Sequence, residues 1–406
     1  MAAPSNVLFV TRYYWPEVIG SAPFCTDMAS WLADHGHKTT VLSGLPHYPL
    51  MEIFPGYRDV KFASESVGEV AVERLRVGPP ARPSALPRIA NEVAFLMRGL
   101  GALATGRIAR HSLVLALCPS ILCIALGIAA RKRGGVCVAI VHDIQSGLAE
   151  TLGMVGRGWL ARLMRACERT VLNHTDLICV LSPEMKEQLN TIGVTAPIEV
   201  MPLWVDTERL QPAEPVSRPS VKVVYSGNLG RKQGLGQVVA LANELARCRP
   251  DIEFVLRGSG SQLEELSADI ARRGLTNISF ADLQPDEALG RSLASGDIHL
   301  VPQNPAAAAF AVPSKVFNIM AVGRPFVATA FPGSVLWQLQ RQSGAFLCVP
   351  PYEPRTFAEA IIKLADDKRL RHELGRRGRE FVELHYSKPR ILGQFMSRLG
   401  VAMAQK

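Results

Sequence analysis

Short apolar runs alternate with helical spacing along the whole chain. NVLFVT (6–11), TTVLSG (39–44), LVLALC (113–118), VCVAIVHD (136–143) and LICVLS (177–182) mark the first half. KVVYSG (222–227), IEFVLRG (252–258), DIHLVPQ (297–303) and PFVATA (325–330) mark the second. Runs that are apolar throughout suit strands buried on both faces, and the helical segments between them supply the cover. The reading is α/β, with two Rossmann-like, doubly wound halves.

With 406 residues the chain exceeds what one core holds, so two domains of roughly 200 residues are expected. WVDTERLQPAEPVSRPSVK (204–222) separates the halves, and Pro212, Pro215 and Pro219 bar a helix or a central strand there. In open parallel sheets ligands bind outside the carboxyl ends of the strands, so two such domains predict a cleft.

The formal charge of +9 favours an anionic partner: a phosphorylated small molecule, an acidic membrane surface or nucleic acid. No Lys/Arg block of five and no zinc-finger spacing occurs, so nucleic acid is set aside. The eight cysteines form no CxxC pair and read as reduced thiols of a cytoplasmic protein. The opening residues lack a basic n-region and read as a first strand rather than a signal peptide. The uncharged run 113–130 approaches the length of a membrane span, but Pro119 and Ser120 divide it. A buried strand, a turn and a helix starting near Ser120 account for the same letters.

Several sites are excluded by their absent patterns: no GKS or GKT, no GxGxxG, no GxSxG, no HExxH and no metal-holding DxD. What remains is SGNLGRKQGLG (226–236), where a strand runs into Gly227, Asn228 and further glycines before helical spacing resumes. Close-approaching amides, a helix start and Lys232 suit a phosphate; a glycine turn with solvated cations explains the letters equally. VPSKVFNIMAVGRP (312–325) offers a second anion site, with Pro313 and Ser314 opening a helix and Lys315 beside its positive end. Two such starts on one sheet edge suit a diphosphate.

SGNLGRKQG, RGSGSQLEEL and PSKVFNIMAVGRPFVATA, in that order, resemble the nucleotide-sugar half of retaining glycosyltransferases of family 4, which have the GT-B fold. RYYWPEVIGSAPFCTDMASWLADHGHKTTVLSGLPHYP is most similar to the colanic acid branch, with its fucosyl and N-acetylfucosaminyl transferases. The resemblance implies an acceptor-side domain over 1–205, a donor domain over 206–384 and a terminal helix (385–406) returning to the first. It implies a nucleotide sugar donor, a polyprenyl diphosphate-linked saccharide acceptor and no metal or other cofactor. It assigns Lys232, Gly20, Gly227, Asn228, Ser314 and Lys315 to the donor diphosphate, and His142 and Asp143 to the transferring sugar and acceptor. Lys232 also counts among the catalytic residues, through the departing phosphate. Gly258, Gly260 and Asn318 fall at the nucleoside.

Two departures stand out. The family's paired glutamates are Phe310 and Asn318 here, and Asn228 replaces a phosphate arginine. Asn318 retains hydrogen-bonding capacity toward ribose, and Phe310 suits the methyl group of a deoxy sugar. A nucleotide-sugar epimerase or an idle binding protein of the same fold would keep the diphosphate site, and a two-domain dehydrogenase is a third reading. GWLARLMRACERTVL (158–172) sets Trp159, Leu160, Leu163, Met164 and Val171 against Arg162, Arg165 and Arg169. It reads either as a sheet-packed helix with solvated arginines or as a contact to an anionic bilayer. The resemblance favours the second, giving a peripheral enzyme on the cytoplasmic membrane face.

Overall fold

The structure, a computed structural model, describes residues 6–404 apart from 19, 49–50, 59–62, 81–84, 119, 145–158, 215–217 and 305–312. It divides into two compact units, Met1–Pro202 with Gln394–Lys406, and Leu203–Gly393.

The first unit contains β1 (Asn6–Val10), β2 (Lys38–Ser43), β3 (Ala63–Val67), β4 (Val70–Arg74), β5 (His111–Cys118), β6 (Arg131–Val141), β7 (Leu177–Val180) and β8 (Ile198–Val200). They form one sheet ordered β3-β4-β2-β1-β5-β6-β7-β8, parallel except where β3 meets β4. Chain order reverses between β1 and β5, the kind of switch point where ligand crevices open. The apolar run at 113–130 becomes strand β5 followed by helix Ile121–Ala130. Its side chains from Leu113 to Leu117 are buried, as expected of a strand covered on both faces. Among the described residues no helix is long and apolar enough to cross a membrane.

The second unit contains β9 (Val221–Ser226), β10 (Ile252–Arg257), β11 (Ile278–Ala281), β12 (Ile298–Val301), β13 (Phe326–Thr329) and β14 (Leu347–Val349). Their order is β11-β10-β9-β12-β13-β14 and every pairing is parallel. The switch point here lies between the exits of β9 and β12. Both segments singled out from the sequence adjoin it, 226–236 and the described part of the second, 313–325.

The basic tail folds as two helices, Lys368–His385 and Lys388–Ala404. Between them the chain is stitched to Val205: its amide donates to the Tyr386 carbonyl (2.9 Å), and Lys388 donates to the Val205 carbonyl (3.0 Å). These bonds hold the start of the last helix in the second unit, so the return to the first unit falls at Gln394 rather than at 385. There Arg398 pairs with Glu199.

Candidate active site

In the second unit the loops leaving β9 and β10 are interlocked. The Gly227 amide donates to the Arg257 carbonyl (2.9 Å), Leu229 to Ser259 (2.8 Å), and Gln262 back to Leu229 (2.9 Å). The Gly227 amide is therefore committed to the neighbouring loop and does not serve an anion. What Gly227 supplies is room. A β-carbon there would stand 2.9 Å from the Lys315 Nζ, and its φ of +138° is one that side chains disfavour. Gly258 and Gly260 are packed against the same turn: a β-carbon on Gly260 would lie 2.6 Å from the Leu229 carbonyl oxygen and 2.5 Å from Asn228 Oδ1. Asn228 itself is exposed.

Lys315 opens helix Lys315–Ala321, and its Nζ lies 4.0 Å from the centroid of the Tyr225 ring. Burial pulls the ammonium down to about 7. Among the described residues no carboxylate pairs with it. Tyr225, the penultimate residue of β9, is wholly buried and anchored by its hydroxyl, which donates to the Asn228 carbonyl (2.6 Å). One aromatic ring thus props up the lysine and fixes the glycine turn. Asn318 stands three residues beyond Lys315, on the same face of the helix, and Ser314 is exposed at its start. Lys232 belongs to the short turn Arg231–Gln233, but its side chain lies outside the described residues, as does Phe310.

A buried network that sequence reasoning missed fastens the turn to the rest of the rim. Gln237 donates to the Gln303 carbonyl (3.1 Å) and accepts from the Tyr352 amide (3.2 Å). The Gln303 amide donates to Thr329 Oγ1 (3.0 Å). Three strand exits are tied together through one glutamine. Its single signal was a polar residue on the apolar side of helix Gly236–Leu245.

In the first unit, Gly20 sits in an exposed turn with φ +73°, just before helix Ala22–Asp34. That helix carries Phe24, whose ring meets His142 edge-on at 6.1 Å. The exits of β1 and β6 thereby come together. Burial pushes the His142 imidazole down to about 4, so it is neutral at physiological pH. Asp143 is exposed, and its carbonyl accepts from Cys118 Sγ (3.5 Å). Sequence reasoning also missed Glu17, a buried carboxylate that accepts backbone amides from Tyr14 (3.2 Å), His47 (2.9 Å) and Tyr48 (2.8 Å). It clasps the loop after β1 to the loop after β2. Only its place beside Pro16 in an otherwise apolar stretch hinted at this.

Two largely parallel sheets, with Lys315 beside the switch point of the second, are the frame on which the comparisons bear. The glycosyl transferase 4-like domain matches residues 20–204, and glycosyl transferases group 1 match residues 206–381. The chain is a family 4 glycosyltransferase. It is 29% identical over 401 residues to the colanic acid biosynthesis glycosyl transferase WcaI of Escherichia coli (strain K12), covering 95% of this chain and 97% of that one. Among solved structures it resembles sucrose-phosphate synthase from Thermosynechococcus elongatus, with TM-score 0.76, 17% identity and coverage of 99% and 100%. Anabaena HepE in complex with UDP and glucose gives TM-score 0.69 at 16% identity, over 97% and 99% of the two chains. These likenesses establish the GT-B fold of this glycosyltransferase; the sites rest on the geometry above.

Proposed function

We propose that this glycosyltransferase moves a sugar from a nucleotide diphosphate sugar to a hydroxyl of a lipid-linked saccharide, at the cytoplasmic membrane surface, during surface polysaccharide synthesis. The observation that carries the donor side is the Lys315 ammonium, held over Tyr225 against Gly227 with no carboxylate beside it among the described residues. A desolvated cation without a counter-ion favours an anion strongly, and a departing diphosphate is one. The saccharide side draws on WcaI, whose name refers to colanic acid biosynthesis.

In the reaction the bond between the anomeric carbon and the diphosphate oxygen breaks, and the acceptor oxygen bonds that carbon from the same face, retaining configuration. The leaving oxygen takes the acceptor's proton. Lys315, joined by Lys232, balances the charge that develops on the diphosphate, so the scheme needs no metal ion. A neutral His142 donates its ring N–H to the acceptor oxygen and orients it, which leaves the hydroxyl proton for the departing phosphate oxygen; a group titrating near 4 is too weak a base to remove that proton itself at pH 7. Asp143, beside it, assists the acceptor. Asn318 serves the ribose. The apolar Phe310, in place of a family glutamate, favours a deoxyhexose such as fucose or N-acetylfucosamine.

Calorimetric titration with GDP and with UDP, without metal, tests the donor side. One nucleotide is expected to bind, with Lys315→Ala and Lys232→Ala each weakening it by more than about 1.5 kcal/mol, the scale of a lost charge-assisted bond. Binding of neither nucleotide overturns the reading. Nucleotide release from the donor sugar that depends on acceptor then separates transfer from epimerisation.

A further inference from the structure

The helix Ala85–Ala104 is apolar on the side that faces water as well as on the side that faces the core. Inward, it buries Phe95 and Ala102, and Gly99 lies against Leu126 of helix Ile121–Ala130. Outward, Ile89, Val93 and Met97 are 58%, 44% and 60% exposed. Their spacing of four residues puts them in one stripe along the helix. A surface helix normally turns charges outward, and one that is apolar all round belongs in apolar surroundings.

The cations around this stripe identify those surroundings. Arg88 and Arg98 are exposed near its two ends, and neither is paired with a carboxylate among the described residues. Glu92, the helix's one acid, is turned inward and paired with Arg12 (3.3 Å), so no exposed carboxylate interrupts the face. Helix Trp159–Leu172 also packs on helix Ile121–Ala130, on the same side of the eight-stranded sheet. It adds exposed Arg162 and Arg169 around the 49% exposed Leu163.

We infer that the Ile89–Val93–Met97 face docks on an anionic lipid bilayer, with the three side chains entering the headgroup region and Arg88 and Arg98 meeting lipid phosphates. The inference rests on the reading of the acceptor as membrane-held, and it names the surface that brings the enzyme there. Apolar insertion combined with cationic attraction is what reversible bilayer binding requires. A second copy fits less well: three side chains fall far short of the roughly 800 Å² per partner that a stable dimer buries. The protein's net charge of +9 acts in the same direction as the local arginines.

The test is flotation of the full chain with vesicles of phosphatidylcholine alone and of phosphatidylcholine mixed equally with phosphatidylglycerol. Wild type is expected to float with the anionic vesicles only. Ile89→Glu with Met97→Glu is expected to abolish flotation, and Arg88→Gln and Arg98→Gln each to weaken partition about fivefold. All four positions are exposed, so unchanged melting and unchanged GDP or UDP titration report that the variants are folded. Undiminished flotation of the double glutamate variant overturns the inference, as does wild type that ignores anionic vesicles. Light scattering that shows a dimer broken by Met97→Glu overturns it in favour of self-association. Nucleotide binding without flotation removes the docking face alone; flotation without nucleotide binding removes the donor reading and leaves the face standing.

Discussion

A β-carbon on Gly258 would overlap the carbonyl oxygen of Gly227 and stand 3.0 Å from its carbonyl carbon. The obstruction is backbone, which cannot swing aside as a side-chain tip can. Gly258→Ala therefore prises apart the loops leaving β9 and β10, and its φ of +152° adds strain. The expected cost is about 3 kcal/mol of stability, with loss of nucleotide binding even at temperatures where the fold survives. Gly236→Ala is the control. Nothing lies within 4 Å of a β-carbon there, and it opens a helix, so melting is expected to hold steady or rise slightly. Equal loss in both variants would disprove the interlock.

Lys315 is expected to make nucleotide binding depend on pH. Its ammonium, near 7 in the folded protein, lies below the ordinary lysine value of 10.5, so the unfolded chain holds more protons between those limits. Stability contributed at this position consequently rises as pH rises from about 7 toward 10.5, and Lys315→Met is expected to gain most at low pH. A bound diphosphate restores the charged form. Titrations at pH 8 in buffers of different ionisation enthalpy should show uptake approaching one proton per site, and none in Lys315→Met. Zero uptake by wild type would mean that the lysine is already charged when empty.

Glu17 carries a test of the first unit. Replacing it with alanine strands the amides of Tyr14, His47 and Tyr48, and is expected to cost about 2–4 kcal/mol. Hydrogen exchange at His47 and Tyr48 should accelerate together. Exchange confined to one of them would show that the carboxylate does not clasp both loops.

His299 is expected to govern part of the acid limb of stability. It is fully buried with its Nε2 2.8 Å from the Leu293 carbonyl oxygen, and burial pushes it down to about 4. Between pH 6.5 and 4 the unfolded chain binds the extra proton, so stability falls as pH falls, by up to about 1.4 kcal/mol per pH unit. His299→Gln is expected to flatten that slope in denaturant titrations at several pH values. An unchanged slope would assign it elsewhere.

The alternation of apolar runs revealed the central strands because burial on both faces leaves no other composition open to them. The edges were harder. ASESV of β3 is mostly polar because it pairs on one side only, and LCV of β14 and IEV of β8 are too short to show a period. RKRGG precedes the apolar run that begins at Val136, yet β6 starts there, with Lys132, Arg133 and Gly134 exposed. At the site, Lys315 was legible beside a helix start, whereas its partner Tyr225 looked like one more strand residue. Neither its ring beneath the ammonium nor the Gln237 network follows from local spacing, because both join segments far apart in sequence.

All six strands of the second sheet point the same way, so every strand exit lies on one rim and every entrance on the other. The exit loops therefore share one rim, and the strands supply most of the interior, with Leu229 and Leu235 of 226–236 adding to it. Descendants of this protein can alter what the exit loops meet while the strands that fill the interior stay as they are. What the rim meets and what the interior needs are in large part separately heritable.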